Sequence, residues 1–402
     1  MVKILYISGS IGLGHVWRDV AIVKELKRLN PGIDISWMAE HPAVNVLRSM
    51  GEKVLPDAEK TVNTGKTVDQ MTKGYETNMV DFSMKWLKVF PRNAQVVFDA
   101  VKRESFDLVV GDETYDVIVA LLRSPEKKTF PFVLIYDFVG HKAMTSRPKE
   151  HLEGWMINRF WIDSIINKNK VQDALIFIGV PEDIPDERFG LLQPNKRRLT
   201  KGRVDFVGYV LPFDPRDYRE KGKVRKELGY SDEPLIVASA GGTATGKLLL
   251  DLCSRAYPLL KRTMPDLKMV VVCGPKMDPK NIDASDGLSV MGYVPFLYRH
   301  LAAADLCICS GGGTTTLELT ALQKPFLFFP LEGYSEQDDV ANRCQRYGAG
   351  VRVRFSSTPP EVLAQQVLEN INKPIKYPDM PLGGEVKAAN IINHLLEGGR
   401  SR

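Results

Sequence analysis

The sequence has few cysteines, few histidines and no long apolar run, and each shortage excludes a class of protein. Of 402 residues, five are cysteine and six are histidine. The cysteines are odd in number and none stands in a C-x2-C pair, so neither a disulfide scaffold nor a zinc module is expected. No stretch reaches the roughly 18 uninterrupted apolar residues of a membrane-spanning helix, and the first residues lack a signal-peptide pattern. We therefore expect free thiols in a reducing cytoplasm.

The excess of positive charge is also small, which bears on whether the protein binds nucleic acid. Lys plus Arg number 54 and Asp plus Glu number 49, a formal net charge of +5. An excess of this size does not by itself predict nucleic-acid binding. The densest basic cluster, residues 196–203, has no interleaved aromatic residues, so no nucleic-acid partner is expected.

Short apolar segments alternate with amphipathic ones along both halves of the chain. Near-continuous apolar runs such as FVLIY at 132–136 are typical of parallel strands buried on both faces. The alternation predicts an α/β protein of two doubly wound, Rossmann-like domains. A linker rich in proline and charge at 211–223 places the domains at 1–210 and 224–380. Residues 57–78, polar and rich in Gly and Thr, are predicted to form a mobile loop.

The first predicted strand ends in a glycine-rich turn, SGSIGLGHVWRD, at residues 8–19. A turn between a strand and a helix exposes backbone N–H groups to an anion, and Gly12 and Gly14 leave room for its approach. The GxxGxG order differs from the GxGxxG order of dinucleotide-binding turns, so NAD is not expected. His15 stands at the start of the helix, where the helix dipole disfavours the imidazolium. We therefore predict a neutral His15 that acts as general base.

Charged side chains in the same half are candidates to assist His15. Asp112 ends the predicted strand LVVGD and Asp137 ends FVLIYD, and the carboxylate of either residue would orient the imidazole. Arg18 lies one turn after His15 and would meet a phosphate on the acceptor, unless it is an ordinary helix-surface arginine. The predicted catalytic pair is His15 and Asp112. The predicted acceptor-side residues are Gly12, Gly14 and Arg18.

A second glycine-rich turn, CICSGGGTTTLEL, spans residues 307–319. Its glycines let the backbone approach a phosphate, and its threonines add hydroxyl donors. Glu318 suits a ribose diol, because a carboxylate accepts hydrogen bonds from two hydroxyls. A third turn, SAGGTATGK at 239–247, has Leu where a Walker A loop needs Ser or Thr, so an ATPase is not expected. The Glu336–Gln337 pair follows the next strand, where polar groups would hold sugar hydroxyls.

Together these motifs resemble those of the GT-B glycosyltransferases of family 28. After GxGH, the series runs SxGG at 239–242, GYV at 292–294, SGGGTxxxE at 310–318 and P-x5-EQ-x4-N at 330–342. That family includes the peptidoglycan lipid-linked N-acetylglucosaminyltransferase and the diacylglycerol galactosyltransferases. The resemblance covers nearly the whole chain and is strongest over 235–350.

The resemblance implies two Rossmann-like domains facing across a cleft, with the nucleotide-sugar bound by the C-terminal domain and the acceptor by the N-terminal one. It implies that backbone near Tyr293 and Val294 reads the base, that the second glycine turn holds the diphosphate and that Glu318 binds the ribose. It also implies that a helix at Val386–Leu396 crosses back onto the N-terminal domain. The donor-side residues it indicates are Gly241, Gly242, Thr243, Tyr293, Val294, Gly312, Gly313, Thr314, Thr315, Glu318, Glu336 and Gln337.

The expected reaction is transfer of a sugar from a nucleoside diphosphate, UDP being the family's commonest choice, to an acceptor hydroxyl, with inversion implied by the resemblance. No D-x-D pair of the metal-dependent kind is present, since the acids at Asp112–Glu113 and Asp338–Asp339 are adjacent. Neither a metal nor another cofactor is therefore expected, and helix N-termini would stabilise the diphosphate. Two alternatives stay open: a non-hydrolysing UDP-N-acetylglucosamine 2-epimerase, which would need further acids and another histidine, and a non-catalytic nucleotide-sugar-binding subunit.

Two apolar stripes bear on the acceptor. The stripe at 79–90 places apolar residues at helical spacing among lysines and arginines, and Trp155, Met156 and Phe160 form a similar one. A basic amphipathic helix rests on an anionic membrane, which would suit a lipid-linked acceptor. Packing on a core is the alternative for both stripes. The basic residues at 85–103 and 196–203 favour an anionic surface, so we expect a cytoplasmic enzyme with peripheral membrane contact.

Overall fold

A computed structural model describes residues 2–9, 12–241, 246–371 and 373–400 of the chain. The chain divides into two compact units. Unit 1 comprises Met1–Val68, Asn78–Pro212 and Pro381–Arg402. Unit 2 comprises Asp69–Thr77 and Phe213–Met380.

Unit 1 is built on a parallel sheet that, within the described residues, has seven strands in the order β3-β2-β1-β4-β5-β6-β7. The strands are β1 Lys3–Ile7, β2 Asp34–Met38, β3 Lys53–Val54, β4 Leu108–Asp112, β5 Phe132–Tyr136, β6 Ala174–Ile178 and β7 Asp205–Gly208. The helices that precede residue 213 are α1 Gly14–Leu29, α2 Ala43–Ser49, α3 Thr64–Met71, α4 Met79–Trp86, α5 Phe90–Glu104, α6 Tyr115–Arg123, α7 Pro148–Ile166, α8 Lys168–Val171 and α9 Lys196–Thr200.

The strands of unit 1 are apolar at successive positions because helices cover both faces of the sheet. Ile4 and Tyr6 on β1 lie in one apolar cluster with Val16 of α1, whereas Leu5 between them lies in another with Val117 of α6. All five of these side chains are fully buried. Complete burial of such a side chain contributes about 1.5–3 kcal/mol, so these two layers fix the strand ends where the site forms.

Unit 2 contains a second parallel sheet, with six strands in its described part, in the order β10-β9-β8-β11-β12-β13. The strands are β8 Leu235–Ser239, β9 Lys268–Val272, β10 Ser289–Met291, β11 Leu306–Ser310, β12 Phe326–Phe329 and β13 Val351–Arg352. The helices are α10 Lys221–Leu228, α11 Lys247–Thr263, α12 Leu297–Ala303, α13 Gly313–Ala321, α14 Ser335–Arg346 and α15 Pro360–Asn370. The last helix of the chain, α16 Gly384–Arg400, belongs to unit 1.

Both sheets reverse strand order at an equivalent place. In unit 1 the first strand pairs on one side with β2 and on the other with β4, and in unit 2 β8 pairs likewise with β9 and β11. Ligands of open α/β sheets bind outside the carboxyl ends of the strands at such a switch point. The two glycine-rich turns follow β1 and β11, so the topology places each at the switch point of its own unit.

The predicted α/β fold of two Rossmann-like sheets is confirmed, and several details differ. Residues Asp69–Thr77, which the sequence placed in the N-terminal domain, belong to unit 2. The region predicted as a loop at 57–78 contains a 3-10 helix at Pro56–Lys60 and helix α3. Polar composition concealed this, because among the described residues of this region the buried apolar side chains are those of Ala58 and Tyr75 alone. Helix α16 packs on α1, with Ala388 and Ile392 buried.

Of the two interpretations of the stripe at 79–90, packing on a core is the one that the structure supports. Met79, Phe82, Trp86 and Phe90 are each less than a tenth exposed, and the rings of Phe82 and Trp86 stack at 5.6 Å. Helix α4 packs on α7, which takes its apolar face out of solvent. No helix in the described part of the chain is long and apolar enough to cross a membrane.

Candidate active site

His15 lies at the start of α1, against the turn that follows β1. Gly14 is the first residue of the helix, and Gly12 has a φ of +101° with open space around it. A Cβ on Gly9 would lie 3.0 Å from the imidazole of His15, so a side chain at position 9 would push the ring aside. The glycine at the end of β1 therefore lets the imidazole lie over the strand end.

Asp112 orients the imidazole of His15. The Oδ2 atom of Asp112 lies 3.0 Å from Nδ1 of His15, and the carboxylate is fully buried while the imidazole is 14% exposed. Because β4 pairs with β1, the last residue of β4 comes to the helix that follows β1. Of the two acids left open by the sequence, Asp112 contacts His15, whereas Asp137 contacts Arg18.

Arg18 is buried and ion-paired on both sides. Its Nε and Nη2 donate to the two carboxylate oxygens of Asp112, and its Nη1 donates to Asp137 at 2.5 Å. Burial works against the charge of Asp112, but the guanidinium of Arg18 and the imidazole of His15 outweigh it and hold the pKa of that carboxyl below its usual range. Arg18 was predicted to meet an acceptor phosphate, and in the structure its guanidinium is held by these two carboxylates.

Two acids near His15 were not found by sequence reasoning. The Oε2 atom of Glu113 lies 3.7 Å from Nε2 of His15, and Glu113 has a φ of +53°, an uncommon conformation for a residue other than glycine. Asp19 is fully buried and accepts hydrogen bonds from Ser8 at 2.6 Å and Tyr6 at 3.1 Å. Burial raises the pKa of Asp19 well above its usual value. The sequence does show that Glu113 directly follows Asp112 and that Asp19 directly follows Arg18, and these neighbours could have pointed to both acids.

The glycine turn of unit 2 packs closely on the next strand and loop. Gly311 donates its N–H to the carbonyl of Phe329 at 2.9 Å, and a Cβ there would meet Pro330 at 2.6 Å. Gly312 precedes α13, so the N–H groups of Gly313 and the residues after it, which have no partner within the helix, lie at the helix start. Thr314 and Thr315, in the first turn of α13, are half-buried.

Glu318 is a buried carboxyl without compensation from a nearby cation. It is 8% exposed, and among the described residues nothing donates a hydrogen bond to its carboxylate or pairs with it. Burial raises the pKa of Glu318 to about 8. A buried acceptor left in this state is suited to a ligand that brings its own hydroxyl donors.

The remaining donor-side residues divide between packed and open positions. Gln337 is buried and its Oε1 accepts from the Leu331 N–H at 2.7 Å, while Glu336 accepts from the hydroxyl of Tyr334 at 2.8 Å. Gly241 follows β8 with a φ of +75°, whereas Tyr293 is 42% exposed. Val294 is partly buried against the core of unit 2. Gly242 and Thr243 lie outside the described residues.

These motifs and this fold occur together in known enzymes. Residues 236–395 match the model of the glycosyltransferase family 28 C-terminal domain. An uncharacterized glycosyltransferase of Methanosarcina acetivorans is 30% identical, over 98% of this chain and 97% of its own length. The chain belongs to family 28 of the glycosyltransferases.

This glycosyltransferase is also similar to better-described proteins. The UDP-N-acetylglucosamine--N-acetylmuramyl-(pentapeptide) pyrophosphoryl-undecaprenol N-acetylglucosamine transferase of Clostridioides difficile is 23% identical, over 92% of this chain and 81% of that one. The crystal structure of Acinetobacter baumannii MurG matches all of both chains, with a TM-score of 0.53 and 18% identity. At that identity the structural match establishes the GT-B fold, and the relatives establish that the chain is a glycosyltransferase.

Proposed function

We propose that this glycosyltransferase moves a sugar from a UDP-type donor to an acceptor hydroxyl, with inversion at the anomeric carbon and without a metal ion. The observation that carries the proposal is the His15–Asp112 pair, a buried carboxylate hydrogen-bonded to Nδ1 of a partly exposed imidazole. Because the pKa of Asp112 is held low, its carboxylate is ionised and accepts a hydrogen bond from Nδ1. In a neutral imidazole this tautomer leaves the lone pair on Nε2, which can then act as the base.

In the proposed step, Nε2 of His15 takes the proton of the acceptor hydroxyl. The acceptor oxygen forms a bond to the anomeric carbon as the bond from that carbon to the diphosphate oxygen breaks, and the nucleoside diphosphate leaves with the electron pair. Attack opposite the leaving group inverts the centre. Asp112, at 3.0 Å, and Glu113, at 3.7 Å, stabilise the imidazolium that forms.

The donor half of the proposal rests on unit 2. The N–H groups at the start of α13 and the hydroxyls of Thr314 and Thr315 would hold the diphosphate, since a helix N-terminus favours an anion. Glu318 would accept hydrogen bonds from the two ribose hydroxyls. The name of the Clostridioides difficile relative, which specifies UDP-N-acetylglucosamine, supports a UDP-sugar as donor.

The acceptor half of the proposal includes contact with an anionic membrane, through α7 and the loop at 188–195. Leu191 and Leu192 at the tip of this loop are 81% and 89% exposed, and Leu192 holds a φ of +61°, which costs a leucine about 1–2 kcal/mol. Trp155 of α7 joins the same patch, since its indole N–H donates to the Leu191 carbonyl at 3.0 Å. Arg188 and Arg198 are exposed beside the tip and would meet anionic headgroups.

Vesicle sedimentation tests the membrane contact. The double variant Leu191→Ser, Leu192→Ser should bind anionic phosphatidylglycerol vesicles several-fold more weakly than wild type at low salt. The matched control, Val362→Ser with Leu368→Ser, removes two exposed apolar side chains of α15 in unit 2 and should leave binding unchanged. Equal loss in both variants, or no binding by wild type, would contradict the patch.

Thermal unfolding with a panel of nucleoside diphosphate sugars tests the function, because a ligand that binds the native state raises the unfolding temperature. We expect a UDP-sugar to give the largest rise, and sugar transfer to an added lipid-linked hydroxyl acceptor to continue in excess EDTA. Epimerised donor formed without acceptor would point instead to the epimerase. Nucleotide-sugar binding with no turnover in the presence of any acceptor would point to a binding subunit.

A further inference from the structure

The segment Asp69–Thr77, here called the strap, belongs to unit 2 although it lies far upstream of it in sequence. At one end, Asp69 accepts a hydrogen bond from the ammonium of Lys276 at 2.8 Å, with both side chains less than a fifth exposed. Beyond it, Lys73 and Glu76 exchange backbone hydrogen bonds of 3.0 and 3.1 Å around Gly74. The strap is therefore a folded part of the donor-side unit.

The strap pairs with the loop that leads from β12 to α14, residues 330–334. Glu332 donates its N–H to the Tyr75 carbonyl at 3.1 Å, and Thr77 donates its N–H to the Glu332 carbonyl at 3.0 Å. A Cβ on Gly333 would lie 2.4 Å from the Thr77 carbonyl oxygen, and Gly333 has a φ of +80°. Only glycine permits this approach of the two backbones.

Tyr75 links that loop to the glycine turn. Its hydroxyl donates to the Phe329 carbonyl at 2.8 Å, and the same carbonyl accepts the N–H of Gly311 at 2.9 Å. Its ring stacks on Phe355 with centroids 4.3 Å apart and planes 17° from parallel. One buried carbonyl thus joins the strap, the end of β12 and the turn expected to hold the diphosphate.

We infer that Tyr75 is a positioning residue for the donor, and that the strap holds the glycine turn and the 330–334 loop in the arrangement that binds it. Within that loop, the Leu331 N–H donates to Oε1 of Gln337, so a shift of the loop also moves a predicted sugar contact. This inference rests on the proposed function, because it assumes that the donor binds at this turn. The strap, which lies within the sequence of the N-terminal domain, would then control donor affinity.

Removing one hydroxyl tests the inference. Tyr75→Phe should weaken UDP binding about three- to tenfold by calorimetry, because the turn loses a buried hydrogen bond that orders it. The matched control is Tyr257→Phe, since the Tyr257 side chain is also buried and its hydroxyl donates to the Leu267 and Gly287 carbonyls, away from the turn. Both variants should lower the unfolding temperature, and only Tyr75→Phe should change UDP affinity. Equal affinities in the two variants would overturn the inference.

A second pair of variants displaces the strap without touching Tyr75. Gly333→Ala places a methyl group against the Thr77 carbonyl, whereas Gly287→Ala, at a φ of +76°, has its nearest neighbour 3.8 Å away. The two share the same backbone strain, so only the clash with the strap separates them. Weaker UDP binding in Gly333→Ala than in Gly287→Ala is expected, and the reverse order would contradict the inference.

Hydrogen–deuterium exchange separates failure of this inference from failure of the proposed donor. Without ligand, Tyr75→Phe should speed exchange in peptides covering 309–313 and 329–334, and Tyr257→Phe should not. If wild type binds no UDP, the proposed donor is wrong, and exchange alone then decides whether the strap orders the loop. Unchanged exchange in Tyr75→Phe would overturn the inference whether or not UDP binds.

Discussion

Each unit carries a buried carboxyl beside its glycine turn, and the two differ in what surrounds them. Asp112 in unit 1 receives hydrogen bonds from Arg18 and His15, and its pKa is held below the usual range. Glu318 in unit 2 is buried without such partners among the described residues, and its pKa is raised to about 8. Burial thus acts on both carboxyls, but the charges of Arg18 and His15 offset it at Asp112 and no such charge offsets it at Glu318.

The difference indicates how the two units divide the proposed work. In unit 1 the carboxylate that orients the proposed base is already paired with Arg18 before any substrate arrives. Unit 2 holds an acceptor whose partners would come with the ligand. Preorganised charge suits a group that acts in the transition state, whereas an uncompensated acceptor suits recognition of hydroxyls in the ground state.

The largest expected effect is at the base of unit 1. His15→Ala should lower kcat for sugar transfer by about 10²- to 10⁴-fold, because no base then takes the proton of the acceptor hydroxyl. UDP affinity should stay within twofold of wild type, since the nucleotide is assigned to unit 2. Steady-state kinetics with calorimetry measures both values. Near-full transfer by the variant with intact UDP binding would remove His15 from the mechanism.

The next largest effect is expected on stability, when the cation that pairs with Asp112 is removed. Arg18→Leu should destabilise the fold by about 3–5 kcal/mol at neutral pH, because it leaves buried carboxylates without their cation. Arg28→Leu, on the same helix, removes an exposed arginine paired with Glu25 and should cost less than about 1 kcal/mol. Urea unfolding of both variants gives the comparison.

The pH dependence of the Arg18 variant follows from the same charges. With Arg18 present, the pKa values of Asp112 and Asp137 are lowered, so their stabilising contribution is present above about pH 4 and is lost as the pH falls. Without Arg18, burial raises these pKa values, so the variant should regain stability as the pH falls from 7 toward 5. A constant gap between wild type and variant across that range would contradict this account.

A smaller effect is expected at Glu318. Glu318→Gln should weaken UDP binding about ten- to a hundredfold at pH 9, where the wild-type carboxylate is ionised and accepts two hydroxyls. Wild-type affinity should rise with pH from 6 to 9, because binding favours the ionised form, whereas the variant should show a flat profile. Calorimetry at four pH values measures this, with the exposed Glu361→Gln as control. A flat wild-type profile would contradict the ribose assignment.

Without ligand, the stability of the wild-type fold should fall as the pH rises, opposite to the rise in UDP affinity. Because the folded-state pKa is raised above the ordinary value, folded wild type loses stability as the pH rises through the window up to about 8. Glu318→Gln removes this loss. The difference in unfolding temperature, variant minus wild type, should therefore be larger at pH 8 than at pH 5. An equal difference at both pH values would show that the carboxyl ionises freely.

Local patterns predicted most of the sheet. The strand β5 coincides with the apolar run FVLIY, β4 coincides with the predicted strand LVVGD, and α1 begins one residue before His15, where the sequence placed its start. Such segments are decided by burial on both faces, which short apolar runs report directly. The two-residue strands β3 and β13 were missed, because their partners rather than their own composition make them strands.

The sequence predicted the contact between His15 and Asp112 and missed the other contacts around them. His15, Asp112 and Glu318 were identified from their places at strand and helix ends. That Arg18 pairs with Asp112 rather than facing a phosphate, and that Glu113 approaches His15, depend on the register of β4 against β1. The stripe at 79–90 left two interpretations open for a similar reason, since an amphipathic pattern is the same whether the apolar face meets a core or a membrane.

The sequence by itself determined the two Rossmann-like repeats, the glycine turns at their switch points and the family. These depend on local burial, on conformations that glycine permits and on fixed spacings, all of which are readable along the chain. Only the tertiary structure decided which carboxyl is ionised, which apolar stripe is exposed and that Asp69–Thr77 folds with unit 2. The ionisation of a carboxyl, the exposure of a stripe and the pairing of the strap each depend on residues distant in sequence. The local sequence pattern does not show which of those residues come into contact.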